Sequence, residues 1–584
     1  MSSTVEFVAF AATERAGDWS AAMVLDGEGT TERVESVSAD QLRSRVQTVE
    51  DERRPRWVWW GHETARSVAS LGLPLGRCWD LAAVHRLLHG GWRADPALVW
   101  GAAHDLDVAT IPELRAPDLF NAFDDHDPDR AVGDDGHLDP AWAGGSWAET
   151  CDRLTSWAGL ALEVRARQEQ LAISITDRPG LASTIRSEST ATLLAAELEV
   201  TGLPIDLDAA AAIITEVAGP RPSDLDDERA IADRRDAAVL RHVPDGDAYD
   251  LRSPEQVKAL LRRCGIEVPD TRSWRLERLV DIHPVVAPLL HWRKAERIAT
   301  TFGHGWLDAH VGRAGARVPA TRGRLRGEWS SSDGAAGRMT ATAGLHNMPA
   351  EIRPAVRAEP DHVFVRADLG QIEPRVLAAV SGDDDLARAT ADDDMYAPVA
   401  DRLRVEREIA KVAVLGAMYG QTTGVGAQAL RGLERAYPVA MGFLTDADRA
   451  AQGGNDLRTV GGRLVRMTDG RPEVVLAGDD SVDRARAAAR GRYGRNAMVQ
   501  GAAAEFFKIW ALLVRAAVRL HGGVIVLCLH DELVVHTPVA AAEPTAAAME
   551  TALDRAARHW RPNVDGKVRF VADTSVIQRW SDAK

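Results

Sequence analysis

The chain has 584 residues, which is more than one hydrophobic core usually supports, so we expect roughly three or four domains. With 45% hydrophobic and 27% charged residues, its composition is that of an ordinary soluble protein. Charged residues interrupt the most apolar region, residues 502–529, so no apolar run reaches the roughly 18 residues of a membrane span. The sequence therefore predicts a protein without a membrane segment.

The net charge of −16 argues against nucleic-acid binding only if the charge is evenly spread, and here it is not. Residues 105–149 are acidic and contain Asp105, Asp107, Asp118, Asp124, Asp125, Asp127, Asp129, Asp134, Asp135 and Asp139. Residues 313–357 are basic and contain Arg313, Arg317, Arg322, Arg324, Arg326, Arg338, Arg353 and Arg357. A local basic segment is thus predicted, although the whole chain is acidic.

The cysteines and the first residues bear on the cellular compartment. Cys78, Cys151, Cys264 and Cys528 are scattered singly, without the spacing of metal ligands, which is typical of reduced thiols. No basic region precedes the apolar residues of the opening MSSTVEFVAF, so no secretory signal is visible. We therefore expect a cytoplasmic protein.

The first elements in chain order carry no visible catalytic constellation. Residues 1–185 are interpreted as a separate α/β domain, interrupted by a loop around residues 117–145. Residues 187–310 have helical patterns, and Ser253-Pro254 predicts a helix with Ser253 as N-cap and Pro254 as its first residue. The segment 313–357 contains many glycines and is predicted to be a loop.

A strand ending in a carboxylate follows. Val363, Val365 and Ala367 alternate with Phe364 and Arg366, and the alternation ends at Asp368. Asp368 is therefore predicted at the end of a strand.

Beyond it, Arg407, Lys411, Leu415 and Tyr419 recur at every fourth position and would share one helix face. The chain has 70 basic residues, and the lysines among them are Lys258, Lys294, Lys411, Lys508, Lys567 and Lys584. A lysine where the chain otherwise uses arginine favours a phosphate contact or a general acid. The competing interpretation is a solvated amphipathic helix.

The C-terminal part adds amides and a second carboxylate. Arg492, Asn496 and Gln500 would share a helix face and could read bases or sugars, or could simply satisfy neighbouring backbone groups. Two apolar runs around His530-Asp531-Glu532 predict a β-hairpin with acidic residues at its turn. If Asp368 and Asp531 meet on one sheet, their oxygens could hold two Mg²⁺ ions, or Mn²⁺ as an alternative, for phosphoryl transfer.

These motifs, in this order, resemble those of the family A DNA polymerases, the DNA polymerase I type. The family's Asp-Tyr-Ser-Gln-Ile-Glu-Leu-Arg is similar to the run Asp368, Leu369, Gly370, Gln371, Ile372, Glu373, Pro374, Arg375. Its Arg-x3-Lys-x3-Phe-Gly-x2-Tyr-Gly is similar to Arg407, Lys411, Leu415, Gly416, Tyr419 and Gly420. Further matches are Ala336-Gly337-Arg338-Met339, Leu345-His346-Asn347-Met348-Pro349, Arg492-x3-Asn496-x3-Gln500-Gly501 and His530-Asp531-Glu532.

The resemblance implies a role for each matched residue. Asp368, Asp531, Lys411 and Glu532 would be catalytic, with Asp368, Asp531 and the Leu369 carbonyl binding the metal ions. Arg407, Lys411, Leu415, Tyr419, Gln371 and Glu373 would bind the nucleotide. Arg338, Arg492, Asn496, Gln500, His530 and Asn347 would bind DNA. The implied partners are primer-template DNA and deoxynucleoside triphosphates, with no membrane and a monomeric enzyme.

The fold it implies is multidomain, α/β and α+β: a ribonuclease H-like domain of the exonuclease type, then a right-hand polymerase. The domains would be a 3′-5′ exonuclease-like domain at 1–185, a helical thumb at 186–330, palm at 331–400, fingers at 401–490 and palm again at 491–584.

The exonuclease-like domain is predicted to be inactive. Where the family's first nuclease motif has Asp-x-Glu, this chain has Ala12 and Glu14, residues 57–79 contain no aspartate, and the first tyrosine is Tyr249. A metal-dependent nuclease remains an alternative if Glu14, Glu63 and Asp80 form an unrecognised site. A non-catalytic DNA-binding scaffold is the other alternative, which the retained Asp368, Asp531 and Lys411 disfavour.

Overall fold

The computed structural model describes residues 6–27, 31–114, 127–244, 249–313, 322–334, 336–420, 426–468, 480–563 and 565–583. Four of the acidic and basic positions named above, Asp118, Asp124, Asp125 and Arg317, lie outside the described residues. The chain divides into two compact units. The first comprises 1–201, 329–340 and 365–576, and the second comprises 202–328, 341–364 and 577–584.

The first unit begins with a five-stranded sheet between two layers of helices. Its strand order is Thr31–Val37, Asp18–Leu25, Phe7–Arg15, Arg56–Trp59, Cys78–Asp80. The first three strands are antiparallel and the last three parallel. Ala9 and Ala11 face one apolar cluster while Val8 and Phe10 face the other, because successive strand residues point to opposite faces. The predicted α/β character of this region is confirmed.

Helices cover both faces of this sheet. Leu81–His89 and Cys151–Ser174 contribute apolar side chains to one cluster, and Ala39–Arg53 and His62–Ser70 contribute to the other. Leu181–Thr201 contributes to both clusters. Residue 185, the predicted end of the first domain, lies inside this continuous helix.

The same helix also carries a buried ionic cluster. Glu188 lies 2.7 Å from the Lys508 Nζ atom and 2.6 Å from a guanidinium nitrogen of Arg463. Glu197, about two and a half turns further along, pairs with Arg515 at 2.6 Å. All but Glu197 are buried, so the charges are satisfied by one another rather than by water.

The rest of the first unit contains a four-stranded sheet with helices. The strand order is Val524–Leu529, Glu532–Pro538, His362–Leu369, Ala572–Ile577, and the first two strands form the predicted hairpin. The helices here are Ile372–Ser381, Asp384–Ala389, Tyr396–Leu403, Arg407–Tyr419, Gly426–Ala436, Pro438–Gln452, Asp480–Val518 and Ala542–His559. Short strand pairs are formed by Trp329–Ser330 with Thr340–Ala341 and by Leu457–Arg458 with Leu464–Val465.

Within the described residues, one helix is long and apolar enough to cross a membrane by length and composition alone. It is the helix Asp480–Val518, hereafter the long helix. Its most apolar window is 72% buried inside the structure, so its apolar side chains are covered by the protein itself.

The second unit is mostly helical. Its helices are Leu207–Ala218, Leu225–Leu240, Pro254–Arg263, Ser273–Glu277, Val286–Thr301 and His304–His310. Ser253 caps the third of them by accepting from the Gln256 amide, and Pro254 is its first residue, as predicted. A three-stranded sheet has the order Leu203–Asp206, Arg322–Leu325, Val311–Arg313.

That sheet corrects the prediction that residues 313–357 form a loop. Gly323 lies in a central strand, where a Cβ atom would come within 2.4 Å of the Val311 side chain. Glycine is needed here for close strand packing rather than for a turn. Arg324, in the same strand, pairs with Glu359 at 2.6 Å, so this member of the basic segment is neutralised within the fold.

Candidate active site

The two predicted carboxylates are brought together by neighbouring strands of the four-stranded sheet. Asp368 is the last residue but one of strand His362–Leu369, and Asp531 lies at the turn of the hairpin. The amide of Leu369 donates a hydrogen bond of 2.8 Å to the carbonyl of Asp531. Backbone pairing alone therefore holds the end of the Asp368 strand beside the hairpin turn that carries Asp531.

The electrostatics of the two carboxyl groups reflect this proximity. Burial, and after it the charge of Asp531, raise the pKa of Asp368 to about 6. The pKa of Asp531 is also raised, mainly by burial and then by the charge of Glu532. Glu532 is the first residue of its strand and is buried. Burial and the neighbouring carboxylates thus both disfavour the ionised form of Asp368 and Asp531.

Arg366 is a component that the sequence analysis missed. Its guanidinium donates to the Asp368 Oδ2 atom at 2.6 Å and lies 3.2 Å from a Glu532 carboxylate oxygen. It also lies 3.8 Å from Asp573, on the adjacent strand Ala572–Ile577. A signal was available, since residues two apart in a strand share a face and Arg366 therefore points to the same side as Asp368.

The donor set fits magnesium better than a metal with a complete protein cage. Among the described residues, no group of three histidine, cysteine or carboxylate side chains is arranged to hold an ion. Mg²⁺ is commonly bound through one or two carboxylates together with substrate phosphates and water. The hard carboxylate oxygens of Asp368 and Asp531, on adjoining strands, suit such an ion.

The predicted helix face begins at the first residue of helix Arg407–Tyr419. Arg407 is exposed and bound to Asp394 at 2.5 Å and to Glu408. Asp394 also accepts a hydrogen bond of 2.9 Å from the Gln371 side chain. Asp394, which the sequence analysis did not select, therefore joins two of the predicted nucleotide-binding residues.

Lys411 differs from Arg407 in having no neutralising partner. It is half-buried, and it forms no hydrogen bond or ion pair with any residue that the structure describes. Leu415, one turn on, is half-buried, and Tyr419, at the end of the helix, is exposed. The helix thus presents an uncompensated ammonium, which is available to an anionic ligand.

Tyr419 links the helix to two other predicted motifs through Glu373. The Tyr419 hydroxyl donates to a Glu373 carboxylate oxygen at 3.1 Å, and Arg338 donates to the other oxygen of Glu373. The side chain of Gln500 also hydrogen-bonds to Tyr419. Four residues that are far apart in the sequence therefore form one network.

Arg492 and Asn496 lie on the long helix beside this network. The Arg492 stem covers Gly420, where a Cβ atom would come within 2.6 Å of it, so the glycine that ends helix Arg407–Tyr419 is sterically required. The Asn496 Oδ1 atom is buried and has no hydrogen-bond partner among the described residues. This acceptor therefore satisfies no neighbouring backbone group among the described residues.

Two other predicted DNA-binding residues are exposed. His530 lies at the hairpin turn next to Asp531. Asn347 belongs to the second unit, where its carbonyl accepts a hydrogen bond of 2.7 Å from Arg297. Its side chain is available to solvent.

Comparison with known proteins agrees with this arrangement. Residues 238–582 match the family described as DNA polymerase family A. The chain belongs to DNA polymerase family A. This match covers more than half of the chain and includes every predicted site residue.

Several DNA polymerases I are similar to this family A chain. That of Chloroflexus aurantiacus is 31% identical over 302 residues, which are 46% of this chain and 30% of the relative. That of Deinococcus radiodurans is 25% identical over 423 residues, 66% of this chain and 41% of the relative. The thermostable enzyme of Thermus aquaticus is 28% identical over 60% of this chain and 43% of the relative. The chain therefore spans less than half the length of these relatives.

A solved structure shares the fold. The POL domain of Pol1 from M. smegmatis, in a complex with DNA primer-template and dNTP, superposes with a TM-score of 0.67 at 20% identity. The similarity covers 99% of this chain and 96% of that one. At this level of identity it supports the architecture of the family A fold.

The departures from the family motif have local structural reasons. Gly370 replaces a serine, and a Cβ atom there would lie 2.9 Å from the Val571 side chain, so the backbone packs too closely for a larger residue. Pro374 is the third residue of helix Ile372–Ser381, where its missing amide would have had no partner within the helix. Neither change disturbs a carboxylate.

The alternative nuclease site is not supported by the geometry of its acids. Asp80 is fully buried, caps helix Leu81–His89 and accepts a hydrogen bond from the Trp59 indole. Glu14 and Glu63 are both exposed. Asp80 therefore has a structural role that leaves its carboxylate facing the interior.

Proposed function

We propose that this chain is a template-directed DNA polymerase that adds deoxynucleotides to a primer 3′ end, in DNA replication or repair. The observation that carries the proposal is the backbone hydrogen bond between Leu369 and Asp531, which sets two strand-end carboxylates side by side. Asp368, Asp531 and the Leu369 carbonyl would hold two Mg²⁺ ions. When bound, such ions activate the attacking oxygen and stabilise the leaving oxygen of an in-line phosphoryl transfer.

The residues around the carboxylates have complementary roles in this proposal. Lys411 binds the triphosphate and gives a proton to the pyrophosphate leaving group, because no residue that the structure describes neutralises its ammonium. Arg407 binds the same phosphates after exchanging Asp394 for them. Glu373, held by Arg338 and Tyr419, bounds the sugar of the incoming nucleotide.

DNA contacts are proposed for side chains in and beside the Tyr419 network. Arg492, Asn496, Gln500 and His530 lie on the long helix and at the hairpin turn. The unsatisfied Asn496 Oδ1 atom supports a ligand contact, since a buried acceptor without a partner costs free energy until one is supplied.

The domain boundaries, the compartment and the assembly state remain proposals. We assign an exonuclease-like domain to residues 1–185, the thumb to 186–330, the palm to 331–400 and 491–584, and the fingers to 401–490. The five-stranded sheet supports a ribonuclease H-like domain, since its strand Phe7–Arg15 has antiparallel strands on one side and parallel strands on the other. A monomer in the cytoplasm is proposed, and the four unpaired cysteines support a reducing compartment.

A primer-extension assay tests the function directly. We expect the purified chain to extend a 5′-labelled primer on its template by the nucleotide that the template specifies, in the presence of Mg²⁺ and deoxynucleotides. Shortening of the primer would instead favour the nuclease alternative. A mobility shift without any change in primer length would favour the DNA-binding scaffold.

The N-terminal domain is expected to have no metal-dependent 3′-5′ exonuclease activity. A two-ion nuclease needs several carboxylates, and here Ala12 replaces one while Asp80 is used as a helix cap. The measurement is incubation of a 3′-labelled mismatched primer with excess protein and Mg²⁺ or Mn²⁺, without nucleotides. Release of mononucleotides that persists in Asp531→Ala and disappears in Glu14→Ala would contradict this prediction.

A further inference from the structure

A buried arginine lies among the carboxylates to which the proposed function assigns the metal ions. Arg366 is 8% exposed, and its guanidinium lies 2.6 Å from Asp368 and 3.2 Å from Glu532. Its third acidic neighbour, Asp573, is 3.8 Å away and mostly exposed. Arg366 is therefore a fixed cation within the acidic site rather than a residue at its margin.

An arginine in this position stabilises the site when no metal is bound. Glu532 is buried, and Asp368 and Asp531 are half-buried beside it, so solvent screens the repulsion among the three carboxylates only in part. A guanidinium cannot lose its proton, so its compensation is permanent. The carboxylates can then stay close together before a divalent ion arrives.

The same contact opposes metal binding. Arg366 donates to Oδ2 of Asp368, and a Mg²⁺ ion needs a carboxylate oxygen at about 2.0–2.1 Å in a near-octahedral arrangement. Both cations compete for the same negative charge. Glu532 and Asp573 offer the guanidinium an alternative pair of partners when Asp368 turns to an ion.

We propose that Arg366 is a positioning residue that acts as an internal competitor of the divalent ion at Asp368. It lowers the metal affinity of the protein alone, so that the ion binds firmly only when nucleotide phosphates supply further oxygen ligands and charge. This inference rests on the proposed metal role of Asp368. It links metal loading to substrate binding through one side chain.

The test is the affinity for Mn²⁺, measured by the electron paramagnetic resonance signal of the free ion, without DNA or nucleotide. We expect Arg366→Met and Arg366→Gln to bind Mn²⁺ at least about tenfold more tightly than wild type, since each removes a full charge next to the ligand. Arg366→Lys keeps a cation and should stay near the wild-type value. The glutamine variant retains a polar group toward Glu532, in case the methionine variant does not fold.

Thermal unfolding gives a second readout. Without metal, Arg366→Met should unfold at a lower temperature than wild type, because the carboxylates lose their counter-ion. Its unfolding temperature should rise more than that of wild type when Mn²⁺ is added. Arg449→Met, which changes an exposed pair with Asp446, is the matched control and should alter neither quantity.

Asp368→Asn, combined with each Arg366 variant, separates this inference from the proposed function. If Mn²⁺ binding does not depend on Asp368 in any background, the proposed metal role of Asp368 is wrong. If binding depends on Asp368, but Arg366→Met and Arg366→Gln bind the ion no more tightly than wild type, only the role of Arg366 is wrong.

Discussion

Asp368→Asn and Asp531→Asn are each expected to reduce nucleotide incorporation by about 10³-fold or more. Loss of a single preorganised donor to a transition state already costs about 10²- to 10³-fold, and a metal-binding carboxylate contributes more charge than a donor. Burial and the acidic neighbours raise the pKa of both groups, so replacing one carboxylate by an amide relieves repulsion. We therefore expect Asp531→Asn to fold at least as stably as wild type, whereas in Asp368→Asn the loss of the Arg366 ion pair offsets part of this relief.

Single-turnover primer extension measures the rate, and thermal unfolding measures the stability. Primer-template binding should persist in both variants, because neither residue is assigned to hold DNA. Asp565→Asn, at an exposed aspartate outside the site, is the matched control and should extend primers normally. Extension by Asp368→Asn at a rate close to wild type would show that the carboxylate pair is not the catalytic site.

Lys411→Ala is expected to reduce kcat/KM for the incoming nucleotide by about 10²-fold, within the range that general acid catalysis contributes. The reason is structural: no described residue neutralises this ammonium, whereas Arg407 is bound to Asp394 and Glu408. Lys411→Arg should restore nucleotide binding more than the maximal rate, because a guanidinium provides charge but does not release a proton.

The measurement is steady-state incorporation at several nucleotide concentrations, together with a DNA-binding isotherm. DNA affinity should change little in Lys411→Ala. Lys567→Ala removes an exposed lysine paired with Asp384 and serves as the matched control. A loss of DNA affinity in Lys411→Ala as large as its loss of nucleotide use would contradict the assigned triphosphate contact.

Elements that depend on local patterns could be predicted from the sequence. The alternation before Asp368, the hairpin around Asp531 and the helix that starts at Arg407 are all present, because side-chain periodicity and turns act over a few residues. The N-cap at Ser253 is present for the same reason. The sequence allowed only a hypothesis that the two carboxylates share one sheet, and the strand order of the four-stranded sheet confirms it.

Features that depend on long-range pairing were missed. Asp394 belongs to the site because it contacts Gln371 and Arg407, which are distant from each other in the sequence. Arg366 belongs to it because it contacts Glu532 of the hairpin. Neither has a motif of its own. The prediction of a loop for the glycine-rich segment is wrong because Gly323 allows close strand packing against Val311. The local sequence does not distinguish a glycine needed for such packing from a glycine needed for a turn.

Helix Leu181–Thr201 explains why a domain without recognisable nuclease residues would persist in this chain. One side of the helix packs Leu193 and Ala196 against the N-terminal sheet, and another holds Glu188 against Lys508 of the long helix. Removing the sheet would expose apolar side chains on the same helix whose Glu188 neutralises the buried Lys508. Loss of the N-terminal sheet would therefore also destabilise the part of the chain to which the proposed function assigns catalysis.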